Sequence, residues 1–202
     1  RAVEFAPATG AVREIGPELP EGGQKYVAAA LVAASGRAYA LPCGARRVLE
    51  LDPHVGDVRE VGPELPANGF KYQEAVPGLN GRIYGIPSDA RRVLEFDPAT
   101  HQAHEIGPEL PYCSGMYASA ILAENGCIYA PPCSGRRVLE IDPSEGAVRE
   151  IGRELDAMPD KYQCVVAAAN GRLYAVPFDA ARILEIIPRV SMPVVIALDS
   201  LD

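Results

Sequence analysis

The side chains best suited to chemistry in this chain are basic and come in pairs. Arg46-Arg47, Arg91-Arg92 and Arg136-Arg137 stand 45 residues apart, Arg182 continues the series, and Lys25, Lys71 and Lys161 recur at a second position of the frame. A guanidinium fork matches two oxygens of a carboxylate, sulfate or phosphate, so these residues gathered on one face would make an anion-binding surface. An acid recurs beside them, at Glu18, Glu64, Glu109 and Glu154. The same pattern therefore also suits ion pairs that tie repeats together, worth about 0–1 kcal/mol each where exposed. What separates the two readings is whether the arginines are free or occupied.

The other reactive side chains assemble no centre. Cys43, Cys113, Cys127, Cys133 and Cys164 lack C-x-x-C spacing, which leaves zinc-ribbon and dithiol chemistry without support. Cys43 and Cys133 share a column with Ser88 and Phe178, and a bridge between Cys113 and Cys133 would leave an odd thiol. Free, buried or half-buried cysteines are expected, with a lean toward a reducing, intracellular compartment. His54 and His101 sit in Asp-Pro turns, and His104 lies three residues beyond His101. On a strand that spacing points the last two to opposite sides, so surface positions are expected, with no metal site and no catalytic residue assigned. Asp52, Asp97 and Asp142 each precede a proline and are read as turn caps rather than calcium ligands. No P-loop, G-x-G-x-x-G or H-E-x-x-H occurs, so no cofactor is expected.

The positioning elements follow from an internal repeat. RRVLELDP, RRVLEFDP and RRVLEIDP begin at Arg46, Arg91 and Arg136, and a weaker ARILEIIP begins at Ala181. Tyr39, Tyr84, Tyr129 and Tyr174 keep the same step, as do Gly62, Gly107 and Gly152 and the series Tyr72, Tyr117 and Tyr162. Three motifs in one frame establish a tandem repeat. The first unit is one residue longer, since Gly16 to Gly62 and Tyr26 to Tyr72 are both 46 apart. Units run over about 25–62, 71–107, 116–152 and 161–188, with 1–16 a partial unit and 189–202 a divergent tail. In that tail Val194, Val195 and Ile196 fall where a last strand is expected.

Within a unit, KYQEAV, RIYGIP, RVLEF and AHEIG read as four short strands. Asn80-Gly81 predicts a type I′ hairpin turn and Asp97-Pro98-Ala99-Thr100 a type I turn. Gly and Pro total 38 of 202 residues and recur about every ten positions, leaving no window for a regular helix. Four strands per 45 residues, apolar on both faces as in Val93-Leu94-Glu95-Phe96, describe the blade of a β-propeller, an all-β fold whose sheets cover one another around a channel. A solenoid of hairpins is the alternative with the same period.

Composition bounds the partners. The chain has 48% apolar and 23% charged residues and a net charge of −8, enough apolar content for a core and the wrong sign for general nucleic-acid binding. No apolar run approaches a bilayer span, so no membrane partner is expected either.

The string NGRIYGIPSDARRVLEFDPAT, with its copies NGCIYAPPCSGRRVLEIDPSEG and SGRAYALPCGARRVLELDPHVG, resembles tandem-repeat proteins of algae and related protists. More remotely it is similar to blades of streptogramin-lyase and NHL-type propellers, which share the cadence "G-x-[IL]-[WY] … [IV]-x-x-[IF]-D-P-x-T-G-x-[IV]". The resemblance covers about residues 1–188 and implies a propeller. For lyase-like members it also implies a His-based, metal-assisted site, which no residue here matches one for one. Near-identical loops suit a repetitive ligand better than an active site, which needs different residues from different blades. The expected function is a non-catalytic binding or scaffold module for a protein or an anionic, multivalent ligand on the Arg/Lys/Glu loop face. The alternative is a metal-assisted lyase or hydrolase.

Overall fold

The structure is a computed structural model that describes residues 1–19, 21–32, 34–67 and 69–189. The strand expected at Val194, Val195 and Ile196 lies outside the described residues.

The described chain is built of antiparallel strands that run in sequence order through each sheet. A two-stranded hairpin of β1 (Ala2–Ala6) and β2 (Ala11–Ile15) comes first. Blade 1 then comprises β3 (Tyr26–Val32), β4 (Arg37–Pro42), β5 (Val48–Asp52) and β6 (Asp57–Val61). Blade 2 is β7 (Tyr72–Pro77), β8 (Ile83–Pro87), β9 (Val93–Asp97) and β10 (Gln102–Ile106). Blade 3 is β11 (Ile121–Leu122), β12 (Ile128–Ala130), β13 (Val138–Asp142) and β14 (Ala147–Ile151). Blade 4 has β15 (Tyr162–Ala167), β16 (Leu173–Pro177) and β17 (Leu184–Ile186) among the described residues.

First strands of successive blades lie side by side, β3 against β7, β7 against β11 and β11 against β15. The sheets thus stand around an axis as blades of a β-propeller. Each apolar core lies between blades. Tyr39, Leu41 and Val48 of blade 1 meet Ile83, Leu94 and Phe96 of blade 2. Tyr84, Ile86 and Val93 meet Ile128, Leu139 and Ile141 at the next interface, and Tyr129 and Val138 meet Leu173 and Ile186 at the third. Doubly covered sheets explain why β9 is buried on both faces from Val93 to Phe96.

Turn chemistry holds the blades in register, with one correction to the sequence reading. In the β7–β8 loop only Gly81 is left-handed, at φ 79°, so the loop is not type I′, which needs positive φ at Asn80 as well. Gly81 N–H donates to Gly78 O at 3.2 Å and Gly78 N–H to Arg82 O at 2.8 Å, a type I turn closed by a left-handed glycine. Asn80 serves differently: its Oδ1 accepts from Arg82 N–H at 3.2 Å and its Nδ2 donates to Tyr84 OH at 2.9 Å. The extra residue of the first unit lies in the β3–β4 loop, where Val32 pairs with Arg37 across four residues rather than three. Asp52, Asp97 and Asp142 cap their turns, accepting from the N–H of His54 (3.0 Å), Ala99 (2.8 Å) and Ser144 (3.0 Å).

Candidate functional site

Loops between second and third strands share one end of the blades with the loops that lead to the next blade, and this end carries the paired arginines. Backbone bonds from Leu65, Leu110 and Leu155 N–H to Arg46, Arg91 and Arg136 O (2.7–2.8 Å) clamp the two loops together. The same arginines answer with side-chain Nε, donating to the carbonyls of Leu65 (3.3 Å), Leu110 (3.2 Å) and Leu155 (3.2 Å). Their NH1 groups meet Glu64 (3.1 Å), Glu109 (2.7 Å) and Glu154 (3.1 Å). Each of these arginines is about half exposed. The pairs fasten a connecting loop to its own blade rather than one blade to the next.

The second arginine of each pair is committed to backbone: Arg47 to Gly62 O at 3.0 Å, Arg137 to Gly152 O at 2.6 Å, and Arg92 to Gly107 O. Arg182 is exposed, and its carbonyl accepts from Tyr162 OH at 3.0 Å. The lysines depart from the expected solvent-facing role. Lys71 and Lys161 are each only 2% exposed. Lys71 Nζ donates to Cys43 O (2.9 Å) and Ala45 O (2.7 Å) of the preceding blade, and Lys161 Nζ to Met158 O (2.7 Å). Burial pushes both ammonium groups below the usual lysine range, and carbonyl acceptors hold them in place. Lys25 is half-buried, with Nζ on Gly22 O at 2.6 Å.

Beside the tethered arginines lie two grooves built from the same repeat columns two blades apart. One, of about 530 Å³, is lined by Arg46, Arg47, Glu60, Glu64, Ala67 and Phe70 among others. The other, of about 450 Å³, is lined by Arg136, Arg137, Glu150, Glu154, Ala157 and Tyr112 among others. Inner-strand tyrosines brace them: Tyr26 OH reaches Arg47 O (3.1 Å) and Glu60 (3.2 Å), and Tyr117 OH reaches Arg137 O (3.2 Å) and Glu150 (3.4 Å).

The opposite end holds polar clusters that the sequence reading did not single out. The Glu of each R-V-L-E stretch turns inward: Glu50, Glu95 and Glu140 are buried. Tyr39 OH donates to Glu50 (2.9 Å) and Tyr84 OH to Glu95 (3.0 Å). Arg59 Nε (2.9 Å) completes Glu50, and Arg82 with His104 (3.1 Å) completes Glu95. His54 and His104 are exposed, as expected of surface histidines, whereas His101 is half-buried. His101 Nε2 lies 2.9 Å from Glu50 of the preceding blade, and its ring stacks on Phe96 at 6.3 Å. It does so at φ 57°, where the other turns carry Gly10, Gly56 and Gly146. The available signal for these clusters was an acid inside an apolar strand repeating in step with the Tyr column.

All five cysteines are free, so the possible Cys113–Cys133 bridge is not formed, and Cys164 is exposed rather than buried. Burial raises the thiol pKa of Cys43, Cys113 and Cys127, and that of Cys133 to about 11, which disfavours thiolate chemistry. Among the described residues no three His, Cys, Asp or Glu side chains gather to hold a metal ion. On β7, the first strand of blade 2, Glu74 is half-buried and raised by desolvation, and it accepts from Ala75 N–H at 3.1 Å.

No family model and no curated protein matches the chain. Solved structures do. Virginiamycin B lyase from Staphylococcus aureus superposes with a TM-score of 0.67 at 14% identity, covering 94% of this chain and 63% of that one. A streptogramin B lyase gives 0.67 at 19% identity, covering 93% and 62%. The extracellular domain of a one-component system from Bacteroides thetaiotaomicron gives 0.58 at 11% identity, covering 81% and 24%. The chain spans less than two thirds of the lyases it resembles, and at these identities the likeness is one of fold.

Proposed function

We propose that this chain is a non-catalytic binding module that takes an anionic, multivalent ligand on its arginine-bearing loop face. The observation that carries this reading is the repetition of one groove two blades apart, with Arg46 and Arg136 in equivalent places. Each arginine is tethered through Nε, so its outer nitrogens are oriented before a ligand arrives. Glu64 and Glu154 are about half exposed, and such pairs hold by only about 0–1 kcal/mol. A ligand sulfate or carboxylate can take the place of the glutamate at small cost while the arginine stays put. Lys71, Lys161, Arg47, Arg92 and Arg137, held by carbonyls, shape the face rather than contact ligand.

The test is thermal unfolding against sulfated and carboxylated glycans and phosphorylated metabolites. A ligand of the native state raises the melting temperature by mass action. The double change Arg46→Glu and Arg136→Glu should abolish that shift, and an unaltered shift would reject the face. The fold likeness over 94% of the chain favours a second reading, a lyase or hydrolase. Quinupristin, present in one lyase structure, is the compound to try, and its turnover by this chain would replace the binding reading.

A further inference from the structure

The internal repeat exposes one place where a ligand is missing a residue's worth of partner. In blades 1, 2 and 4 an arginine at the start of the second strand, or just before it, serves the glutamate of the third: Arg37 lies 3.8 Å from Glu50 and donates Nε to Asp52 at 3.0 Å, Arg82 pairs with Glu95, and Arg172 pairs with Glu185 at 2.8 Å. Blade 3 carries Cys127 in that column. Its glutamate, Glu140, is 1% exposed, and its Oε2 has no hydrogen-bond partner among the described residues. Arg149 reaches the other oxygen at 3.4 Å, and Arg189, two-thirds exposed, brings Nε no closer to Oε2 than 3.6 Å. Arg149 and Arg189 balance the charge of Glu140, but a buried carboxylate oxygen left without a donor in hydrogen-bond range is costly, which makes the position a demand for a better-placed cation that also donates hydrogen bonds.

Room for that cation is present. A cleft of about 570 Å³ opens beside Cys127 and is lined by Glu140, Asp142, Asn125, Arg149 and the exposed Arg189 among others. It lies at the end of the blades opposite the arginine-bearing loops. We propose that this blade-3 cleft binds a guanidinium group, which occupies the space vacated by the missing arginine and bridges Glu140 and Asp142 as Arg37 bridges Glu50 and Asp52. A planar fork is favoured over a simple ammonium because the column's occupant is an arginine in the other three blades and in blade 1 it spans two acids, which a point donor does not. The group can come from a small guanidinium molecule or from an arginine side chain on a peptide.

The experiment is differential scanning calorimetry of the full chain with millimolar agmatine, with a capped Gly-Arg-Gly peptide, and with methylammonium at matched ionic strength. Agmatine should raise the melting temperature and methylammonium should not. A shift with the peptide as well identifies a site open to protein-borne arginine, and a shift with agmatine alone identifies a small-molecule site. Cys127→Arg should melt higher than wild type without ligand and ignore agmatine, because it supplies the group internally. Glu140→Gln should also ignore agmatine. Wild type insensitive to agmatine, or Cys127→Arg responding as wild type does, would overturn the proposal.

Discussion

Glu50 shows what a buried carboxylate needs. Burial works against its charge, yet hydrogen bonds from Tyr39, Arg59 and His101 together outweigh that and hold its pKa below the usual glutamate range. A depressed acid contributes stability that is complete above the ordinary glutamate value and is lost as pH falls through the depressed one. Glu50→Gln should therefore lower stability near neutrality by about 1–3 kcal/mol and flatten the acid limb of a denaturation series run across pH. The tyrosines give the opposite limb. Desolvation first, with the neighbouring glutamates adding to it, pushes Tyr39, Tyr84 and Tyr129 up to about 12. Their contribution is full below the ordinary value of 10.0 and drains away as pH climbs toward 12. A spectrophotometric titration should find these phenols ionising late and together with unfolding; early ionisation in the folded state would contradict their burial and the Tyr39–Glu50 and Tyr84–Glu95 hydrogen bonds. At this scale the arginine repeat and its companion acids were legible, because both keep the 45-residue step. The Glu50 column was not, since a strand acid discloses its direction only when its partners on three strands are known. His101 was misjudged for the same reason: its acid belongs to another blade, 51 residues away.

Strands and turns were the most legible level, because Gly-Pro punctuation and apolar runs act locally. Four strands per blade follow from them, whereas the turn type at Asn80-Gly81 did not, because an asparagine side chain can support either geometry. Glycines separate two kinds of constraint. Gly81 has φ 79° and open space where a Cβ would go, so Gly81→Ala meets only backbone strain, about 1–2 kcal/mol. Gly107 has φ 75° and a Cβ there would overlap the Cβ of Val148 in the next blade. Gly107→Ala should cost clearly more than Gly81→Ala, since it adds a blade-to-blade clash to the same strain, and equal losses in chemical denaturation would contradict the packing of blade 2 on blade 3. Phe96, fully buried between blades 1 and 2, provides the complementary probe: Phe96→Ala should cost about 3–5 kcal/mol.

For the molecule as a whole, cores that lie between sheets make every blade depend on its neighbours, so unfolding should be cooperative across blades 1 to 3. The first hairpin and blade 4 differ from the middle of the array. Val3, Phe5 and Val12 are 60–64% exposed, as are Phe178 and Ile183 at 62% and 64%, whereas the blade-2 counterparts of Val3, Phe5 and Ile183, which are Leu94, Phe96 and Val93, are fully covered. The propeller arrangement was legible from period and patterning alone, while the chemistry of its two ends was not, because it arises where different blades meet. Groove repetition is also a property of the assembled blades, and it supplies the central claim with a length-dependent signature. Once one ligand spans two grooves, the second contact becomes intramolecular and affinity rises without any new type of contact. The deciding measurement is isothermal titration calorimetry with sulfated oligosaccharides of increasing length. Binding that strengthens by at least roughly tenfold beyond a threshold length, and loses that step in Arg136→Glu, is the expected result. Affinity that does not change with length, or no binding at any length, would contradict a multivalent anion-binding face.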